Sequence, residues 1–472
     1  MSTETILLGL TLLAGLYMTW SIGANDVANA IGTSVGSRAL SLRTAVIMAA
    51  ILEFSGAFFF GSHVTSTIEE GVVNGAYFVH EPLTLVYGML AVLLGAGSWL
   101  LIATYYGLPV STTHSIVGAM VGFGLTVGGL EAINWENIGF IAFSWILSPL
   151  CGGLFAYVLF YFVRKWIFYS TDPVKATLFV TPYIVFFFMF VFLMIFTCQE
   201  FEQFQFYPTL FESTSISITI ALVAFLIAYF WLKQLHIPPS PLLHPVHPQS
   251  ITREISRARK GLSRLQGEAR GDAQNKVSNL LRQFEEVAGD LAETESELHQ
   301  PDFHIIERIF GKLQVMSACM MAFSHGANDV ANAIGPLAAA LNVLLNGYFV
   351  PHQPVSIYLL ALGGFGIVLG LATWGWRVVE TIGRGITELT PTRGFAAEFG
   401  AAFTILIASR IGLPISSTHT LVGAVLGVGF ARGLEAINRD TIRDIVVSWA
   451  VTIPIGGIAA VGFFYLIRSI FG

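Results

Sequence analysis

Apolar segments long enough to cross a membrane follow one another along almost the whole chain. A transmembrane helix needs about 20 mostly apolar residues, and about twelve segments meet that requirement. They lie near residues 5–22, 44–66, 83–106, 112–130, 138–164, 178–197, 214–233, 304–323, 355–378, 395–411, 416–431 and 442–470. The pattern predicts an all-α polytopic membrane protein. Its short, glycine-rich segments 112–130 and 416–431 are expected to be broken or half helices at the centre.

Composition agrees with this pattern and narrows the class of protein. Of the 472 residues, 54% belong to the set AVILMFWYC and only 11% are charged, against roughly 25% in ordinary soluble domains. These values exclude a disordered chain, a nucleic-acid-binding protein and almost any soluble enzyme. The first apolar segment has no basic residue before it, so we expect a retained span and not a cleaved signal peptide.

One polar insert interrupts the apolar body. Residues 233–312 hold 22 of the 54 charged residues of the chain. Apolar positions in 251–269 and 280–298 recur at intervals of three and four, which predicts two amphipathic helices forming a hairpin. A solvated linker with transient helix is the alternative.

The three cysteines lie in apolar segments at spacings that fit no metal site, so we expect no transition metal and no cofactor.

The strongest feature is an internal duplication. The sequence GANDVANAIG occurs at 23–32 and again at 326–335, and LPVSTTHSIVGA at 108–119 returns as LPISSTHTLVGA at 413–424. With two further repeated blocks, the offset stays within 303–305 residues, which indicates two copies of one unit. We therefore divide the chain into a first transmembrane repeat (1–165), linking transmembrane helices (166–233), an insert (234–303) and a second repeat (304–472).

The two copies are expected to have opposite orientations, because seven predicted spans separate their starts. Inverted repeats with a site at their interface are common in transporters. Lys and Arg follow predicted spans 1, 5, 7, 9 and 11 and are absent after spans 2, 4, 6 and 8, with Arg410 as the exception. Since basic loops face the cytoplasm, we expect both termini outside and the insert 234–303 in the cytoplasm.

Each GANDVANAIG copy places two amides and a carboxylate at the end of an apolar segment. These residues are Asn25, Asp26, Asn29, Asn328, Asp329 and Asn332. An ionised carboxylate at membrane depth is costly unless it is paired or coordinated, and no Lys or Arg lies nearby in the sequence. Their oxygens are ligands for alkali cations, and the small flanking residues favour an unwound backbone whose carbonyls join them. A polar helix cap is the alternative reading.

Each LP-x-S-[ST]-T-H block starts a helix after a proline. Its hydroxyl residues are Ser111, Thr112, Thr113, Ser416, Ser417 and Thr418. A helix N-terminus presents free N–H groups, so two such ends facing each other are able to hold a tetrahedral oxyanion without a buried permanent cation. Ordinary N-capping is the alternative. His114 and His419 end these blocks, either as hydrogen-bonded structural residues or as proton-sensitive groups beside the anion.

Two isolated acids, Glu53 and Glu398, lie inside apolar stretches. Intramembrane acids are functional candidates, and the repeat alignment places Glu398 opposite Leu93, so these acids break the symmetry.

Two unit charges about 4 Å apart repel by about 4 kcal/mol at an effective dielectric of 20. Anion binding beside Asp26 and Asp329 therefore requires cations, which favours cation–anion symport over a uniporter or channel. An intramembrane hydrolase is disfavoured, because an enzyme needs one nucleophile–base pair and not two mirrored sets.

The paired motifs, with Glu53 and Glu398, resemble those of the PiT-type inorganic phosphate transporters. The resemblance implies twelve spans, inverted repeats and often a homodimer. It implies phosphate bound by the six hydroxyl residues and sodium bound around Asn25, Asp26, Asn328 and Asp329. Glu53, Glu398, Asn29, Asn332, His114 and His419 are expected to support or couple transport.

The sequence thus predicts a phosphate importer of the plasma (cell inner) membrane that works by cation symport, most simply with sodium, and that is not an enzyme. Inorganic phosphate, sodium and the lipid bilayer are its expected partners, and sodium its only metal ion. Proton coupling, or sulfate as substrate, is the alternative within the same fold.

Overall fold

The computed structural model describes residues 3–198, 207–235, 258, 261–262, 264–266, 272–376, 378–379, 389–432 and 439–472. Over this part of the chain the backbone is helical apart from turns, short connections and one isolated antiparallel bridge between Val73 and Ile133. The α-helices are α1 (Thr3–Gly36), α2 (Leu42–Gly71), α3 (Pro82–Tyr105), α4 (Thr112–Gly128), α5 (Trp135–Val163), α6 (Pro173–Thr197), α7 (Leu210–Gln234), α8 (Asp272–Asp329), α9 (Ala331–Asn346), α10 (Ile357–Trp374), α11 (Pro391–Arg410), α12 (Ser417–Arg432) and α13 (Arg439–Phe471).

The all-helical membrane architecture predicted from the sequence is confirmed. Within the described residues, nine helices have the length and apolar composition to cross a membrane. The three remaining predicted segments are also helical and lie in α8, α11 and α12. The total of twelve spans stays a prediction. Burial differs widely among the nine, from 72% of the most apolar window in α3 to 17% in α7, so α3 is a central helix and α7 presents most of its surface outward.

The helices α4 and α12 are short, as the sequence predicted. They have 17 and 16 residues, which corresponds to about 25 Å, against the roughly 30 Å of a hydrocarbon core. The 3₁₀ turn Gly129–Ala132 follows α4 and extends it to the 21-residue segment counted among the nine. Each follows a glycine with left-handed backbone, Gly107 (φ 67°) and Gly412 (φ 71°), which ends the preceding helix. Ser111 then caps α4 by accepting the backbone N–H of His114.

The expected unwinding of GANDVANAIG is wrong for the first copy. There the motif is part of the continuous 34-residue helix α1. In the second copy, α8 ends at Asp329 and α9 begins at Ala331, so the interruption is the single residue Val330. In the first copy the backbone carbonyls therefore stay within the helix, and the small residues serve close packing, since a Cβ on Gly23 would lie 1.9 Å from the carbonyl oxygen of Ile367.

Helices of one copy pack on the short helices of the other through glycine. A Cβ built on Gly423 of α12 would lie 2.2 Å from the carbonyl oxygen of Pro149 on α5. A Cβ on Gly118 of α4 would lie 2.4 Å from the carbonyl oxygen of Ile453 on α13. Gly118 and Gly423 are equivalent in the duplication, so two matched backbone-on-backbone contacts flank the central hydroxyl motifs.

Two sequence features have a local structural explanation. Arg410, the exception in the charge pattern, donates from Nη2 to the carbonyl oxygen of Cys198 at 2.7 Å, so it satisfies a free carbonyl at the end of α6.

The segment 280–298 is helical as predicted, and α8 continues from it without a break into the apolar segment 304–323. Most of 251–269 lies outside the described residues. The free cysteines Cys151, Cys198 and Cys319 are half-buried.

The described chain forms two compact units. One comprises Met1–Tyr161, Phe188–Ala221 and Phe310–Gly472, and the other Phe162–Phe187 and Leu222–Ile309. The first unit therefore combines both copies of the duplication. All site residues considered below belong to it.

Candidate functional site

Asn25 and Asn328 each fix the turn that leads into the hydroxyl motif of their own copy. Their Nδ2 groups donate at 3.0–3.2 Å to Thr104 Oγ1 and Leu108 O, and to Ser409 Oγ and Leu413 O, respectively. Asn25 Oδ1 also accepts the backbone N–H of Val110 at 3.2 Å, whereas Asn328 Oδ1 accepts no hydrogen bond. The two amide groups therefore hold equivalent turns, but only Asn328 keeps a side-chain oxygen without a hydrogen bond.

Asn29 and Asn332 join each copy to the hydroxyl motif of the other. Asn29 Nδ2 donates to Thr418 Oγ1 at 2.8 Å and reaches Ser417 Oγ at 3.4 Å. Asn332 Nδ2 approaches Thr112 Oγ1 at 3.2 Å and Thr113 Oγ1 at 3.3 Å. Both asparagines are 1% exposed, so these reciprocal contacts lie entirely inside the protein.

The two hydroxyl motifs also contact each other directly. Thr113 Oγ1 donates to the carbonyl oxygen of Ile415 at 2.9 Å, and Thr418 Oγ1 donates to that of Val110 at 3.3 Å. Ser111 and Ser416 cap their helices by accepting the N–H groups of His114 and His419 at 3.2 Å. The expected face-to-face arrangement of two helix N-termini is therefore present, and the capping role exists alongside it.

The two aspartates are buried but do not have equivalent surroundings. Asp26 is 1% exposed and neither of its carboxylate oxygens accepts a hydrogen bond of ordinary geometry. Asp329 Oδ2 accepts from Ser417 Oγ at 2.6 Å and lies 2.8 Å from His325 Nε2. The same nitrogen is 4.0 Å from Asp26 Oδ2, so the imidazole joins the two acids.

His325 is a site residue that the sequence analysis missed. It is fully buried, and its other nitrogen, Nδ1, lies 3.2 Å from Glu53 Oε1. His325 precedes the second GANDVANAIG block, where the first copy has Ile22. A comparison of the residues that flank the two identical blocks would have shown this difference, although not its meaning. Glu53 is therefore part of the same cluster as Asp26 and Asp329.

Glu398 belongs to a separate buried cluster. Its Oε1 accepts from the hydroxyls of Thr33 and Ser34 at 2.5 Å, and its Oε2 accepts from Ser317 Oγ at 2.6 Å. Gln314 Nε2 approaches at 3.4 Å. Because hydroxyl donors surround both oxygens, this carboxylate is held in place by the protein itself.

His114 and His419 come together at the junction of the two short helices. Their ring centroids are 4.4 Å apart, and His419 stacks on Trp449 at 3.5 Å. His114 packs edge-to-face on Trp145 at 3.9 Å. Both histidines are 4% exposed, so they pack inside the protein beside the hydroxyl motifs.

The cluster around the aspartates leaves several buried oxygens without hydrogen bonds. These atoms are both oxygens of Asp26 and of Glu53, Oδ1 of Asp329, and the Oδ1 atoms of Asn29 and Asn328. Burying such acceptors unpaired costs free energy, and the ion pairs seen here involve no Lys or Arg of the described chain. Carboxylate and amide oxygens in this state are suited to bind cations.

Comparison with known proteins gives a consistent result. A model of the phosphate transporter family matches residues 22–460. The chain is 44% identical over 470 residues to "Inorganic phosphate transporter 2-1, chloroplastic" of Arabidopsis thaliana, which covers 98% of this chain and 72% of the relative. It is 42% identical over 460 residues to a protein of Chlamydia pneumoniae named as a phosphate permease, with 98% of each chain covered.

A solved structure described as "The sodium-dependent phosphate transporter" has a TM-score of 0.79 with this chain at 36% identity, and covers 98% of this chain and 100% of the other. The apolar helices and these matches identify a multi-pass membrane protein. The chain belongs to the phosphate transporter family.

Proposed function

We propose that the protein imports inorganic phosphate by symport with sodium. The observation that carries this proposal is the juxtaposition of two facing hydroxyl-bearing helix N-termini with a buried set of carboxylate and amide oxygens that lack hydrogen bonds. The first element is suited to an oxyanion and the second to cations. Phosphate is the substrate of the family, and the structural neighbour described above is sodium-dependent.

The hydroxyl motifs would bind phosphate. Ser111, Thr112 and Thr113 of one copy face Ser416, Ser417 and Thr418 of the other, and Asn29 and Asn332 orient these hydroxyls across the copies. The N-terminal ends of α4 and α12 add backbone N–H groups and the positive end of the helix dipole. Phosphate held between the two copies would be released when they separate on one side, which is alternating access.

Asp26 and Asp329 would bind sodium, with Asn25 and Asn328 beside them. The free oxygens of Asp26, Asp329 and Asn328 are available as ligands, while Asn25 acts through the position of its turn. Phosphate near these acids adds a repulsion of about 4 kcal/mol per pair of charges 4 Å apart at an effective dielectric of 20. Sodium removes this cost, so anion binding and cation binding depend on each other.

The membrane topology completes the proposal. The two copies would form inverted repeats of twelve spans in all, with both termini outside the plasma (cell inner) membrane and the insert 234–303 in the cytoplasm. A homodimer would be the assembled form. Accessibility of single cysteines placed at the chain termini and in the insert, probed in intact cells, tests these orientations directly.

Uptake of radiolabelled phosphate into proteoliposomes tests the function. An inward sodium gradient and an inward proton gradient are imposed separately, with sulfate as competitor. Sodium-driven uptake that sulfate does not inhibit is the expected result. Uptake driven only by protons would support the alternative coupling, for which the contact of His325 with Asp329 supplies a proton-binding group. Inhibition of phosphate uptake by sulfate would indicate that sulfate is also a substrate.

The aspartates are tested in the same assay. Asp26→Asn and Asp329→Asn are expected to weaken the sodium dependence. Glu131→Gln serves as the control, because Glu131 is an exposed acid in GLEAIN, a sequence that occurs at 129–134 and again at 433–438. Full sodium dependence in both aspartate variants would show that sodium binds elsewhere.

A further inference from the structure

We propose that Asp26, His325 and Asp329 form a binding site for a first-row divalent transition-metal ion of the Zn²⁺ or Co²⁺ type, with Glu53 orienting the histidine. The proposal concerns an inhibitory ion that would compete with sodium for the same two aspartates. It also departs from the expectation, based on the cysteine spacing, that the protein has no transition-metal site.

The geometry of the three side chains fits such an ion. A ligand atom from each of Asp26, His325 and Asp329 lies within 4.8 Å of the others. The separations from His325 Nε2 are 2.8 Å to Asp329 Oδ2 and 4.0 Å to Asp26 Oδ2. A tetrahedral ion with bonds of about 2.1 Å separates its ligand atoms by about 3.4 Å, and the observed values bracket that distance.

Glu53 gives the histidine the partner that metal-binding histidines usually have. Its Oε1 lies 3.2 Å from His325 Nδ1, on the side of the ring away from the aspartates. Histidine ligands commonly face a carboxylate through the second nitrogen, which fixes the ring and makes it a better ligand. Nε2 is thereby directed to the position between Asp26 and Asp329.

Burial and charge supply an independent argument. All four side chains are at most 1% exposed, and both oxygens of Asp26 and Oδ1 of Asp329 accept no hydrogen bond. Three carboxyl groups and one imidazole thus share a buried cluster, and the ion pairs that they form in the described part of the chain involve no Lys or Arg. One divalent ion would neutralise much of this charge.

The imidazole distinguishes this site from one built only for sodium. Alkali ions take oxygen ligands, whereas imidazole nitrogen favours zinc, cobalt and related ions. The other half of the duplication contains no such nitrogen, because Ile22 occupies the position of His325. The metal site would therefore exist once per chain, with one aspartate from each copy and the histidine from the second copy alone.

Inhibition by the ion rests on the proposed function, whereas binding requires only that the protein opens enough to admit the ion to the buried cluster. A bound divalent ion would occupy the acids needed for sodium and hold the copies together. Zn²⁺ should accordingly inhibit phosphate uptake, and His325→Ile should remove that inhibition if the variant still transports.

The experiment measures Co²⁺ binding directly, by visible absorption of the full-length protein purified in detergent without sodium. The wild-type protein should bind one Co²⁺ per chain, displaced by Zn²⁺. His325→Ile, which installs the residue found in the other copy, and His325→Gln should both remove the absorption bands. Glu53→Gln should weaken binding by about 10–100-fold. His352→Gln changes an exposed histidine that pairs with Glu70 and should leave binding unchanged.

Size-exclusion chromatography identifies any variant that fails to fold, and two different substitutions at residue 325 keep the test decisive. Co²⁺ binding that persists in a folded variant of His325 overturns the proposal. So does a wild-type preparation that transports phosphate but binds no Co²⁺, which leaves the proposed function intact. A preparation that binds Co²⁺ through His325 but transports no phosphate supports the metal site and contradicts the proposed function.

Discussion

His325 and Ile22 occupy equivalent positions in the two copies, each directly before the glycine that starts GANDVANAIG. Their partners are equivalent as well. A Cβ on Gly326 would lie 2.0 Å from the carbonyl oxygen of Glu53, and one on Gly23 would lie 1.9 Å from that of Ile367. A buried histidine and glutamate at one contact between the copies thus replace two buried isoleucines at the equivalent contact, so the duplicated frame carries a site that is not symmetric.

Loss of the asparagine contacts between copies should weaken phosphate binding. Asn29→Ala and Asn332→Ala each remove a donor that orients hydroxyls of the opposite copy. A buried hydrogen bond contributes about 1 kcal/mol and an orphaned partner costs about 1–3 kcal/mol more, so the KM for phosphate should rise about tenfold or more. Uptake kinetics at saturating sodium measure this change, and Asn346→Ala, at the exposed end of α9, is the control. An unchanged KM in both variants would contradict the orienting role.

Removing the charge of Glu398 should destabilise the protein. Three hydroxyls donate to its two oxygens, and the amide of Glu398→Gln would place a donor against donors. We expect a loss of about 2–4 kcal/mol in the free energy of unfolding, from unsatisfied buried groups. Thermal denaturation in detergent measures the change, with Glu131→Gln as the exposed control. A melting temperature equal to that of the control would show that the cluster tolerates a neutral side chain.

A methyl group at the contact between α5 and α12 should also destabilise the protein. A Cβ on Gly427 would lie 2.0 Å from the carbonyl oxygen of Gly153, and the backbone has no rotamer to change. Overpacking of this kind costs about 1–3 kcal/mol. The matched control is Gly139→Ala on α5, where no atom lies within 4 Å and the helix should gain about 0.5–1 kcal/mol. The two melting temperatures should therefore move in opposite directions.

The two aspartates should respond differently to the same substitution. Asp329 accepts from Ser417 and contacts His325, whereas Asp26 has no hydrogen bond of ordinary geometry. Asp329→Asn should lower both the melting temperature and the sodium affinity, while Asp26→Asn should lower only the sodium affinity. Equal losses of stability in the two variants would argue that the environments are equivalent. Parallel measurements of melting and sodium-dependent uptake distinguish these outcomes.

Much of the site could be predicted from the sequence because duplication repeats the residues that matter. The reciprocal contacts of Asn29 and Asn332 join residues that the two motifs already identified. His325 could not be found in this way, since it breaks the repeat and gains meaning only through its contact with Glu53, more than 250 residues away in the chain. Continuity of α1 through its motif was also missed, because small residues permit both unwinding and close helix packing.

The contact between Gly118 on α4 and Ile453 on α13 has a consequence for biosynthesis. The two residues are separated by 335 positions in the chain. At a synthesis rate of about 5–20 residues per second, α4 waits about 15–70 s for its partner. During that time its polar first turn lies in the membrane without the other copy to cover it. The nascent first half therefore depends on the insertion machinery until the final helix leaves the ribosome.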